Sequence, residues 1–238
     1  MKILHAFLLV LFLWAASYDS QAQIRMIAKK LHGATSTSLT EEEAAQGIRE
    51  ALQLGIDTAV ALVSKTNGYF GNPEIRIPFP EDVRTVESKL RGLGMGNLVD
   101  EGVLAMNRAA EEAAKQAIPI FTDAITNMSL NDAISIVKGS DNAATQYLAR
   151  TSSQALRDAF SPVIKEALDH VNATQAWELI MTTYNQIPFV SKQNTDLSAY
   201  VTEKAIDGLF IMIAKEESKI RQDPAQRVTD LLKQVFGN

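Results

Sequence analysis

Apolar residues recur at helical spacing along almost the whole of this chain, and the one stretch that breaks the pattern cannot build a sheet. Residues 66–80 read TNGYFGNPEIRIPFP. Pro73, Pro78 and Pro80 force extended backbone there, and Ile75, Ile77 and Phe79 alternate with Arg76 and Pro78. Each proline lacks the N–H that a central strand would donate on both sides, so this segment can be a short edge strand or a polyproline-like lash laid over helices. With no second strand candidate, the fold class expected is all-α.

The helices are legible from their period and their ends. Thr40 and Glu43 have the spacing of a capping box, and Ile48, Leu52, Ile56, Val60 and Val63 carry a stripe that predicts a helix over 41–65. A helix over 81–92 follows, closed by the turn Gly92, Gly94, Gly96. An Ala-rich helix from about 97 places Val99, Val103, Met106, Ala110, Ala113 and Ala117 on one face; its small side chains admit close neighbours, and Pro119 is expected to kink or break it. Ser129 opens a short helix that Gly139 closes, and Asp141 is expected to cap the next. Pro162 is expected to begin a separate helix ending near Asn172, followed by one over 174–184. Asp196 caps a helix over 197–221, and Asp223-Pro224 opens a last one bearing Val228, Leu231, Leu232 and Val235. The expectation is a single irregular domain over 39–238, about eight to ten helices with one short extended Pro-rich segment. The helices from 97 and from 197 form its central pair.

The N-terminus predicts export. Ala6 to Ala16 is an uncharged apolar run of 11 residues behind Lys2, too short to span a bilayer and the right length for the core of a signal peptide. Ser20-Gln21-Ala22 supplies small residues for cleavage after Ala22, which gives a signal peptide over 1–22 and an arm or linker over 23–38. Removing it takes one charge of each sign, Lys2 and Asp19, so the net charge stays at −5. That mild acidity argues against nucleic acid as a partner. The expected product has no membrane anchor and resides in the periplasm, or beyond it.

Composition narrows the chemistry further. The chain contains no cysteine, which removes disulfides, thiol catalysis and cysteine-ligated metals together. Beyond the signal only His32 and His170 remain, far apart in sequence, so no metal or cofactor is expected and no nucleophile motif is recognised. Two groups of polar residues stand out. Asn107, Arg108 and Glu111 share one surface of the Ala-rich helix, where they could line a ligand site or merely form a solvated face. Asp207 precedes the most apolar helical stretch, where a buried carboxylate could do acid–base work. The balance points away from an enzyme and towards a non-catalytic, soluble envelope protein acting through a binding surface, with another envelope protein or a small ligand as its partner. A carrier of a small apolar or lipidic ligand is one alternative, and a hydrolase using Glu111 and Asp207 is another.

Several longer blocks carry a resemblance. YVTEKAIDGLFIMIAKEESKIRQDPAQRVTDLLKQVFG at 200–237, with NGYFGNPEIRIPFP, MNRAAEEAAKQAIPIFTDAI and GSDNAATQYL upstream, is similar to the DUF4197 family of bacterial, mostly exported proteins of unknown function. The resemblance spans about residues 45 to 237 and implies a helical domain of the bacterial cell envelope. It brings no activity, cofactor or catalytic residue.

Overall fold

The computed structural model describes residues 40–186 and 196–223. The expected signal peptide, the arm over 23–38 and the helix expected from 224 lie outside these residues. Eight α-helices follow one another: α1 (Glu41–Ser64), α2 (Arg84–Gly92), α3 (Gly96–Ala113), α4 (Ala117–Thr126), α5 (Leu130–Lys138), α6 (Ala143–His170), α7 (Ala173–Asn185) and α8 (Leu197–Gln222). A single 3-10 turn, Ala114–Gln116, joins α3 to α4, so the described residues form seven unbroken helical rods and contain no strand. The all-helical class holds among the described residues, whose seven rods fall just below the eight to ten helices expected of the whole domain.

Proline explains the shortfall. Pro119 lies in the first turn of α4, where an absent N–H is tolerated, and the chain tightens to 3-10 geometry rather than breaking. Pro162 sits inside the 28-residue α6. Leu156, Phe160, Ile164 and Leu168, four apart on either side of it, are all fully buried. Burying that continuous stripe is worth several side chains of transfer energy, roughly 1.5–3 kcal/mol each, which outweighs the roughly 3 kcal/mol of an interior proline.

The core runs through every rod except α2, which has no buried residue and only rests Val86 against it. α6 packs most extensively against α8 and α3, and α8 also lies along α1. The hub is therefore α6 with α8 and α3, rather than the pair of helices from 97 and 197 alone. The stripe predicted for α1 is buried from Ile48 to Val63, and the alanine face of α3 closes on its neighbours at Ala109, Ala110 and Ala113. Met106, Met128, Met181 and Met212 all fill the interior. On α8 the apolar centre is not enclosed on every side, since Ile211 faces outward.

Between α1 and α2 the chain forms the expected lash, unpaired and extended over 76–80. Asn67 turns it out of α1 with a positive φ of 64°. Gly68 follows, at a point where a Cβ would lie 2.2 Å from the Val63 carbonyl oxygen. Ile75 and Ile77 point into the core while Arg76 and Pro78 face out, as the alternation predicts.

Candidate functional site

The polar residues of α3 hold the lash down. The Asn107 Oδ1 accepts the Ile77 N–H at 2.8 Å, and its Nδ2 donates to the Ile77 and Val103 carbonyls, both at 2.8 Å. One turn later the Glu111 Oε1 accepts the N–H groups of Tyr69 and Phe70 at 3.1 and 3.2 Å. Its Oε2 accepts from the Arg108 guanidinium at 2.5 Å, and the same guanidinium donates to the Asn67 Oδ1 at 2.8 Å. Tyr69 completes the anchorage by donating its hydroxyl to the Ala205 carbonyl on α8 at 2.6 Å. Burial, then the Glu111 carboxylate, pushes that hydroxyl far above the ordinary tyrosine range. At the far end of the lash the Tyr200 hydroxyl donates to the Pro78 carbonyl at 2.9 Å and is pushed up to about 12, by burial first and by Glu81 second.

Asn107, Arg108 and Glu111 thus come together, as their helical spacing predicts, and their polar atoms meet the protein's own backbone and one another. Asp207 stands apart on α8. It is 62% exposed, and its carboxylate is 3.7 Å from the Lys204 ammonium. The Arg157–Glu203 pair bridges α6 to α8 near it, with contacts of 2.6 and 3.2 Å. Among the described residues no three histidine, aspartate or glutamate side chains gather as metal ligands.

Behind the lash a cleft of about 500 Å³ opens between α2, α3 and the junction of α6 with α7. Its walls are apolar: Val86 and Leu90 from α2, Leu98, Ala105 and Ala109 from α3, Val171, Ala176, Trp177 and Met181 from the junction and α7. Phe79 of the lash closes one end, its ring 5.5 Å from that of Trp177. Gly102 keeps the floor low, because a Cβ there would stand 3.0 Å from the Phe79 ring. Leu98, Leu104 and Val171 are substantially exposed at the mouth. Of the residues singled out from sequence, Arg108 alone lines this cleft. Glu87 and Glu101 are the other charged groups on its walls. At the lip Arg91 donates to Glu87 at 3.0 Å and to Asp100 at 2.8 Å, and the latter contact holds the Asp100 carboxyl below the usual range.

The profile of one family, described as a protein of unknown function (DUF4197), matches residues 38–237. The chain belongs to the DUF4197 family. No curated protein and no solved structure matches it.

Two parts of this DUF4197 protein are not visible in the sequence. The cleft is assembled from several segments whose apolar residues each look like ordinary core, and only the exposure of some of them, Leu98, Leu104 and Val171, sets it apart. The start of α6 is the second. Asp141 does not cap it; Asn142 holds the N-cap position and makes no capping bond of its own. Glu217, 72 residues further on, takes the exposed amides instead, accepting from the N–H groups of Ala144 and Thr145 at 3.0 and 2.9 Å and from the Thr145 hydroxyl at 2.8 Å. The carboxylate meets the positive end of the helix, and Arg221 donates to it at 2.8 Å and to the Ile136 carbonyl at 3.0 Å. A partner so distant in sequence leaves no local signature, so the amides expected to meet Asp141 are filled from the far end of the chain instead.

Proposed function

We propose that this protein is a non-catalytic component of the bacterial cell envelope that works by binding, and that the cleft behind the lash receives a small apolar or lipidic ligand. The cleft itself carries the reading. Its volume falls inside the span of small-molecule sites, roughly 300–1,000 Å³, and its lining of aliphatic and aromatic side chains with a few polar groups at the rim is the usual composition of such sites. Leaving Leu98, Leu104 and Val171 in water is unfavourable, and an apolar occupant would remove that exposure.

Nothing in the placement of Glu111 and Asp207 favours the hydrolase reading. One carboxylate is engaged by Arg108 and two backbone amides, and the other is in solvent beside Lys204. Export is supported by the apolar run Ala6–Ala16 and the small residues before Gln23, and no described helix is long and apolar enough to cross a membrane.

Native mass spectrometry of the protein purified from its host is the deciding experiment. A lipid-sized adduct that organic extraction removes is the expected result, and a bare mass in every preparation would overturn the carrier reading. N-terminal sequencing of the same material is expected to begin at Gln23. An intact Met1 in the periplasmic fraction would overturn cleavage of the signal.

A further inference from the structure

We infer that the ligand is a single-chain amphiphile with a cationic head, its tail in the cleft and its head against Glu101. The inference rests on the binding reading above and adds the charge of what is bound. It follows from how the charges at the mouth are matched. Arg108 is neutralised by Glu111 at 2.5 Å. Arg91 is shared between Glu87 and Asp100, one cation between two acids. Glu101 is exposed on the cleft wall and has no ion-pair partner among the described residues. Of the charged groups on the cleft walls, Glu87 is thus paired with Arg91 and Arg108 with Glu111, and Glu101 alone is left without a counter-ion.

The geometry of α3 gives the orientation. Glu101 sits one turn from the exposed Leu98, at the open end, while Ala105 and Ala109 carry the same face inward towards Trp177 and Met181. A tail following the alanines reaches the aromatic end, leaving its head beside Glu101. A carboxylate or phosphate head would add negative charge beside a carboxylate that already lacks a counter-ion. A quaternary ammonium or amine head would balance it. Because Glu101 is exposed and screened by water, the preference is modest, about two- to fivefold, the range of surface ion pairs.

The test uses the purified protein loaded with N-phenyl-1-naphthylamine, an uncharged dye that fluoresces in apolar surroundings. Displacement is measured with tetradecyltrimethylammonium, tetradecanol and tetradecanoate, which share one tail length, all below micelle formation and at low ionic strength. The ammonium compound is expected to displace the dye about two- to fivefold more tightly than tetradecanoate, with the alcohol between them. Glu101→Gln should remove the difference and Glu101→Lys should reverse it; both lie on an exposed helix position, so folding should survive. Equal displacement by all three heads, or an unchanged ranking in Glu101→Lys, would overturn the head-group inference while leaving the apolar cleft standing. No uptake of the dye at all would overturn both.

Discussion

The side chain of Asn107 is bonded to Ile77 from both sides, accepting its N–H and donating to its carbonyl, each at 2.8 Å. A primary amide presents a donor and an acceptor side by side, as a neighbouring strand would, so α3 supplies the lash with the pairing that a sheet would otherwise give.

Asn107→Ala leaves the buried Ile77 amide and carbonyl without these partners. Unfolding by denaturant should show a loss of about 2–4 kcal/mol, from lost bonds and desolvated polar groups. Asn107→Asp should recover little, since a carboxylate cannot donate to Ile77 and Val103. A loss under about 0.5 kcal/mol for the alanine variant, as for an ordinary surface change, would count against the anchoring role.

Gly208 lets α8 approach the lash. A Cβ there would lie 2.7 Å from the Tyr69 ring and 3.1 Å from the Ile75 Cβ, and the ring is pinned by its hydroxyl to Ala205. Gly208→Ala should therefore destabilise by about 1–3 kcal/mol in spite of alanine's better helix propensity. Thermal denaturation decides it: a raised Tm would mean the ring yields freely.

Glu217→Ala removes the only side chain that caps the start of α6 among the contacts described. A loss of about 2–3 kcal/mol is expected. Hydrogen exchange should show the amides of Ala144 and Thr145 losing protection before the rest of the helix does. Unchanged exchange there would show that another group takes over the cap.

Of the three tyrosines whose hydroxyls are raised, Tyr69, Tyr147 and Tyr200, the first and last give the molecule an alkaline limit. Tyr200 is pushed up to about 12 and Tyr69 higher, against an unfolded value near 10. Above pH 10 the unfolded chain releases protons that the folded chain keeps, so their contribution is intact below pH 10 and falls as pH rises through about 12. Denaturation free energies measured at pH 8, 10 and 11 should decline over the last interval, less steeply in Tyr69→Phe. A flat profile to pH 12 would contradict the burial of both hydroxyls.

Ala105→Phe places a ring in the middle of the cleft floor. Uptake of an apolar dye should drop at least tenfold while the denaturation midpoint stays close to that of the parent. Retained uptake would put the dye elsewhere on the protein.

Much of the fold is written in local pattern, since buried stripes such as Ile48–Val63 and caps such as Ser129 and Asp196 are properties of neighbouring residues. The helical face bearing Asn107, Arg108 and Glu111 was legible for the same reason. What those groups bind was not, because Tyr69 and Ile77 lie some 30 to 42 residues upstream. Pro162 misleads in the opposite direction: its local cost is readable and the burial of Phe160 and Ile164 that overrides it is not. The cleft is the least legible feature, because vacancy between helices depends on packing that no single segment encodes.

The lash is gripped chiefly through its main chain, at the amides of Tyr69 and Phe70 and at both backbone groups of Ile77. Side chains that face outward, such as Arg76 and Pro78, can therefore drift without disturbing the grip. The number of residues from Phe70 to Ile77 cannot: one inserted or deleted between the two clasps shifts Ile77 out of reach of Asn107 and turns its side chain to solvent. Across relatives of this protein, the segment should vary in spelling and hold its length.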